Sequence, residues 1–152
     1  MEINNELSFI DTVNHVIDKS LPLVSNLSNV SSVIKMCFKN TSWAGFYIAD
    51  EKQEVLYLGP FQGSLACTTI PFNKGVCGKS AYLKKTLIVD NVLEFEGHIA
   101  CSSSSRSEIV VPIIKENKVL GVIDLDSDLY SNYSLIDQEL LEQCAKILSD
   151  LF

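Results

Sequence analysis

The sequence predicts an α+β domain, an antiparallel sheet held between N- and C-terminal helices. Apolar residues recur at helical spacing at both ends of the chain, and alternating, β-branched and aromatic runs fill the middle. No internal repeat and no Pro/Gly-rich linker divides the 152 residues, so one domain spanning 1–152 is expected. A chain of this length buries roughly 70% of its unfolded surface and needs no disulfide staples.

The elements follow in order. Leu7, Ile10, Val13, Val16 (or Ile17) and Leu21 predict a first helix over 7–21, stopped by Pro22. Leu27, Val30, Val33, Ile34 and Cys37 mark one face of a second helix, with Asn26 and Ser28 as candidate caps. From Thr41 the period changes. Trp43 to Ile48 reads as a strand, Asp50-Glu51-Lys52 as a turn, and Glu54 to Leu58 as the returning strand. Ala66 to Ile70 is a short strand ended by Pro71. Gly75-Val76-Cys77-Gly78 opens a helix running to Leu83, and Thr86 to Val89 is another short strand. Residues 91–107 form a long loop with a Ser-rich run, a length that is uncommon in a compact chain and often functional. Glu108–Lys115 and Lys118–Asp126 pair across a turn at Glu116-Asn117, and Tyr133 to Phe152 closes the chain as an amphipathic helix.

Composition narrows the function. Apolar residues make up 47% and charged residues 20%, with mean hydropathy +0.19, which excludes a disordered chain. The longest apolar run, Ile109 to Ile114, contains Pro112 and falls far short of the ~20 residues that span a bilayer. The opening MEINNELSF puts acids where a signal peptide needs bases. A cytoplasmic protein, free of the membrane, is expected. The net charge is −7, and Lys84-Lys85 is the densest basic spot, so nucleic acid is excluded as a partner. Five cysteines in such a chain argue for reactive, ligating or buried thiols rather than a disulfide framework.

Two constellations carry chemistry. Cys67, Cys77 and Cys101 each sit in or beside a loop, strand end or helix start. A lone cysteine is usually buried and inert, but three in one central segment invite a redox reading. Cys77 at a helix N-terminus is expected to have its thiolate favoured by the helix dipole. Cys101 has His98 three residues before it and Arg106 five after it as local positive charges. Cys37 and Cys144 fall on apolar helix faces and read as core. His98-x-x-Cys101 is the one close pair of zinc-ligand type, and no metal site is expected from it. The second constellation is acidic. Asp124 and Asp126 have strand spacing and point to one face, where Glu108 of the neighbouring strand can join them. Like charges on an apolar strand raise at least one pKa, and a protonated carboxyl can donate a hydrogen bond. The plainer reading puts these acids at strand ends in water. Arg106 reads as a partner for one of them, and His15 as surface. Trp43, Tyr47 and Phe61 are core residues or, beside the acids, a surface for a substrate's apolar group.

Several strings then resemble one family. They are Trp43-Ala44-Gly45-Phe46-Tyr47, Leu58-Gly59-Pro60-Phe61-Gln62-Gly63, Gly75-Val76-Cys77-Gly78, Gly97-His98-Ile99-Ala100-Cys101, Ser107 to Pro112 and Leu120 to Asp126. In this order they resemble the free methionine-(R)-sulfoxide reductases, stand-alone GAF domains. Ser102 stands where family members often carry Asp. The resemblance implies a GAF-like fold with a six-stranded antiparallel sheet, helices packed on one side of it, a covered pocket and a homodimer. It also implies thiol-dependent reduction of free L-methionine (R)-sulfoxide, with thioredoxin as reductant and no metal or organic cofactor. By position, Cys101 resembles the attacking thiol, Cys67 the resolving one and Cys77 a second redox cysteine. Glu108, Asp124 and Asp126 match substrate-binding acids, and Trp43 the aromatic that contacts the methyl group. Two other readings stay open on the residues alone, a small-ligand sensor without turnover and a thiol switch acting on a partner.

Overall fold

Side-chain alternation along the strands explains the layers. The computed structural model describes residues 8–152. Its sheet contains β1 (Thr41–Asp50), β2 (Val55–Gln62), β3 (Thr69–Pro71), β4 (Leu87–Val89), β5 (Ser107–Lys115) and β6 (Lys118–Ser127). The order is β3-β2-β1-β6-β5-β4, and every neighbouring pair is antiparallel. The two long strands of the central pair, β1 and β6, are buried on both faces along their middles, as strands covered on two sides must be.

One face carries Phe46, Ile109, Val111, Ile113, Ile123 and Leu125. Against it pack α1 (Phe9–Val16), α2 (Leu23–Cys37) and α4 (Leu135–Leu148) through Val13, Leu27, Val30, Ile34, Leu141 and Leu148. Most of these side chains are completely buried, each contributing ~1.5–3 kcal/mol of transfer free energy. The other face is half apolar, with Tyr47, Val110 and Val122 packed against Val76, Cys77 and Ala81 of α3 (Gly75–Leu83). The expectation of helices on one side is thus corrected: α3 and the loops around it cover the opposite face.

Helix boundaries follow local hydrogen bonds. Ser8 and Asp11 form a capping box, Asp11 N–H donating to Ser8 Oγ at 3.2 Å, and Ser134 and Asp137 repeat it at α4. The first helix stops at Val16, five residues earlier than the apolar spacing predicts, and Leu7 lies outside the described residues. The buried Asn26 side chain takes the backbone of Asp18 instead, accepting from its N–H at 2.8 Å and donating to its carbonyl at 2.9 Å. Asn26 therefore fixes the α1–α2 turn and does not cap α2, which starts at Leu23 behind Pro22. Cys37 is exposed, contrary to the core position expected of it. Phe38, four residues after Ile34, fills that place instead. Cys144 is buried as expected. Among the described residues no helix is long and apolar enough to cross a membrane.

Candidate active site

The two-residue period of β5 and β6 builds the floor of the site. Glu108 pairs with Asp126 across the two strands, and Asp124 lies two residues before Asp126 on the same face. Glu108 and Asp124 are each only 5% exposed, so these acids are not strand-end groups in water. Burial, together with the neighbouring acids, pushes the Glu108 and Asp124 carboxyls well above the usual carboxylate range. Asp126 is half-buried and pushed up to about 6 by burial, against the lowering effect of a hydrogen bond from Ser105 Oγ at 2.8 Å. Burial and the neighbouring acids thereby favour the protonated form of Glu108 and Asp124, the form that can donate a hydrogen bond.

Cys77 enters the same face from α3. Gly78 lets the helix come this close, since a Cβ there would sit 2.2 Å from the Pro71 carbonyl oxygen of β3. The Cys77 thiol points at Glu108 Oε1 at 3.8 Å. Burial and then the acids Asp124 and Glu108 push this thiol well above its ordinary value. The dipole-stabilised thiolate expected at Cys77 is therefore overturned: desolvation and two carboxyls outweigh one helix terminus. Nor does Cys77 form a disulfide.

Two loops make the roof. Cys67 and Cys101 are joined by a disulfide with Cα atoms 5.5 Å apart. Trp43 and Tyr47, both on β1, hold the Cys67 loop from below. The Trp43 indole N–H donates to the Ser64 carbonyl at 3.2 Å, and the Tyr47 hydroxyl donates to the Cys67 carbonyl at 3.0 Å. Trp43 also stacks on Phe61 at 5.2 Å and Tyr47 at 6.0 Å. Gly45 makes that stack possible, because a Cβ there would lie 2.3 Å from Phe61 Cβ. Between floor and roof is a cavity of about 70 Å³ lined by Trp43, Tyr47, Cys77, Cys101 and the three acids. Cys101 lines it; Cys67 does not.

Three residues take roles that the sequence did not suggest. His98, three residues before Cys101, lines the cavity, with Nε2 3.7 Å from Glu108 Oε2. Desolvation lowers its pKa, although Asp126 opposes the change. The spacing His98-x-x-Cys101 was the available signal, because a loop that brings one residue over a site brings its neighbours too. Ser105, buried against Asp126, carried no signal in its Ser-rich run. Arg106 does not pair with an acid as expected: its guanidinium donates to the carbonyls of Ser103 at 3.0 Å and Ser105 at 2.9 Å, pinning its own loop.

A central antiparallel sheet, three helices on one face and a loop-covered pocket on the other are the architecture of a GAF domain, and residues 30–152 match the GAF domain family model. Saccharomyces cerevisiae free methionine-R-sulfoxide reductase is 47% identical over 138 residues, 87% of this chain and 77% of the yeast protein. The Escherichia coli protein of the same name is 38% identical over 120 residues, 79% of this chain and 72% of that one. The X-ray structure of the Neisseria meningitidis enzyme in complex with its substrate superposes with a TM-score of 0.88 at 42% identity, covering 95% of this chain and 85% of that chain. The chain belongs to the free methionine-R-sulfoxide reductase family, a family of oxidoreductases within the GAF domains.

Proposed function

We propose that the protein reduces free L-methionine (R)-sulfoxide to methionine, with Cys101 as nucleophile, Cys67 as resolving thiol and thioredoxin as the recycling reductant. The observation that carries this reading is the asymmetry of the disulfide. Cys101 lines the acid-floored cavity, whereas Cys67 is bonded to it from outside the lining.

The cycle balances on these residues. With the disulfide reduced, the Cys101 thiolate attacks the sulfoxide sulfur while the oxygen faces the floor. Negative charge develops on that oxygen, and Glu108 and Asp124, whose protonated forms burial favours, donate to it. Methionine leaves as the oxygen passes to Cys101, giving a sulfenic acid. The Cys67 thiol then attacks Cys101 Sγ, water departs, and the observed disulfide forms. A dithiol of the thioredoxin class returns two electrons and two protons by exchange. Trp43 and Tyr47 supply the apolar wall for the substrate's methyl group and side chain. Asp126, the acid that ionises first, suits the substrate's α-ammonium. Cys77 finds no support as a redox relay, since its thiol is buried, protonated and unbonded. A homodimer is part of the same proposal.

The test is a coupled assay with NADPH, thioredoxin reductase and thioredoxin, supplying the (R) and (S) epimers separately. NADPH oxidation dependent on the free (R) epimer is expected. Its absence, with the protein folded and the disulfide reducible, refutes the reading.

A further inference from the structure

The floor of the cavity holds a donor set that the proposed cycle does not need in full. Cys77 Sγ and one oxygen each from Glu108 and Asp124 all lie within 4.8 Å of one another, and all three residues are buried. Cys77 Sγ stands 3.8 Å from Glu108 Oε1. A tetrahedral zinc ion, with bonds of ~2.3 Å to sulfur and ~2.1 Å to oxygen, holds such a pair about 3.6 Å apart. A second observation points the same way. Asp124 is only 5% exposed and lines the cavity, and among the described residues its Oδ1 has no hydrogen-bond partner. A buried carboxyl oxygen in that state costs roughly 1–3 kcal/mol until something fills its place.

We propose that Cys77, Glu108 and Asp124 bind a zinc-class divalent cation, with its fourth coordination position open to the cavity, in competition with the sulfoxide. One thiolate and two carboxylates favour zinc over magnesium or calcium, which prefer oxygen alone. His98 stands behind the Glu108 carboxylate, 3.7 Å from its other oxygen, where it can orient that ligand. Binding is redox-neutral. The Cys77 thiol proton, with any proton on Glu108 and Asp124, leaves to the buffer as the metal–sulfur and metal–oxygen bonds form. The bound cation then occupies the carboxyls assigned above to the sulfoxide oxygen. Cation binding stands independently of that assignment, whereas competition rests on it.

The experiment uses disulfide-intact Cys37→Ser protein, because the exposed Cys37 thiol would itself hold metal. Equilibrium dialysis against zinc chloride should give one zinc per chain. Titration with cobalt(II) should give the thiolate-to-cobalt charge-transfer absorption, and Cys77→Ser should remove it. Asp124→Asn should weaken affinity at least tenfold with an unchanged circular dichroism spectrum. Substoichiometric binding, or an absorption that survives Cys77→Ser, overturns the site. Free (R)-sulfoxide should bleach the cobalt absorption in proportion to its occupancy, and failure to do so overturns the competition. Sulfoxide turnover without stoichiometric metal binding rejects the cation site and leaves the reductase reading standing. Metal binding without turnover does the reverse.

Discussion

Asp126→Asn asks whether the acidic floor is maintained against the stability of the fold. In the folded protein the Asp126 carboxyl is pushed from 3.8 up to about 6, chiefly by burial. The unfolded chain releases this proton near its ordinary value, so the folded state binds it more tightly. The resulting stabilisation is fully present below about pH 3.8 and is lost as pH rises through about 6. The difference (6 − 3.8 ≈ 2.2), at about 1.36 kcal/mol per pH unit, is roughly 3 kcal/mol. Asn keeps the shape and an oxygen to accept from Ser105 Oγ, but it carries no charge at any pH. The variant's unfolding free energy minus the wild type's should therefore rise by about 3 kcal/mol between about pH 3.5 and about pH 8. With an m-value of ~2 kcal/mol/M, the urea midpoints should move apart by roughly 1.5 M over that range. Titrations of disulfide-intact protein in half-unit pH steps measure this directly, because groups remote from the cluster cancel in the difference. Parallel pH profiles would refute the claim that burial sets the Asp126 titration. The same substitution should lower kcat/KM for the free sulfoxide by ~10–10²-fold, the worth of a hydrogen bond between charged groups at ~1.5–3 kcal/mol. A variant more stable and less active marks a residue kept for function.

The remaining predictions concern the thiols and the pocket. Cys101→Ser should form no methionine even in a single turnover, while Cys67→Ser should complete the first turnover and fail to cycle with thioredoxin. One methionine per chain from Cys101→Ser would move the nucleophile elsewhere. Alkylation of the folded, oxidised protein followed by peptide mapping should label exposed Cys37 and spare Cys77 and Cys144, whose thiols are buried and raised. N-acetyl-methionine (R)-sulfoxide amide should be a very poor substrate beside the free amino acid, since under the proposed reading it leaves Asp126 without its ammonium partner. Equal rates on the two compounds would rule out an enclosed, charge-reading pocket.

Much of the site was legible where a strict period governs it. The strand alternation in Val122-Ile123-Asp124-Leu125-Asp126 puts both acids opposite Ile123 and Leu125, and Glu108 joins them through the β5–β6 register. The terminal helices were legible for the same reason, although their ends were not. Asn26 reads as a cap in sequence, and only the folded turn shows that its amide serves Asp18, eight residues away. Cys37 and Phe38 are adjacent, so helical spacing alone could not decide which of them reached the core. At Cys77 the sequence displays a helix terminus, whereas the burial and the carboxyls that outweigh it come from the packing of α3 on β5 and β6. Three cysteines of the central segment, Cys67, Cys77 and Cys101, admit three pairings, and spacing does not choose among them. The family resemblance implies Cys67 as the resolving partner of Cys101, with Cys77 as a second redox cysteine, and the bond present is Cys67–Cys101. His98, Ser105 and Arg106 lie in a stretch without a period, where neighbours are set by tertiary contacts.

The division of labour between sheet and loops fits the proposed cycle. Groups that meet a charge must stand at a fixed place, and Glu108, Asp124 and Asp126 stand on the paired strands β5 and β6, where the ladder fixes their spacing. Thiols that alternate between bonded and free states need freedom that a ladder does not allow, and both members of the disulfide lie in loops. The two loops are not equally held. The Cys67 loop is tied to β1 by the Tyr47 hydroxyl and the Trp43 indole, whereas the Cys101 backbone N–H donates to the carbonyl of Ile99, two residues before it in the same loop. Breaking the disulfide therefore leaves Cys67 anchored and Cys101 the less restrained of the pair. That asymmetry is what a resolving thiol and an attacking thiol require: one waits at a fixed post, and the other turns between the cavity and its partner.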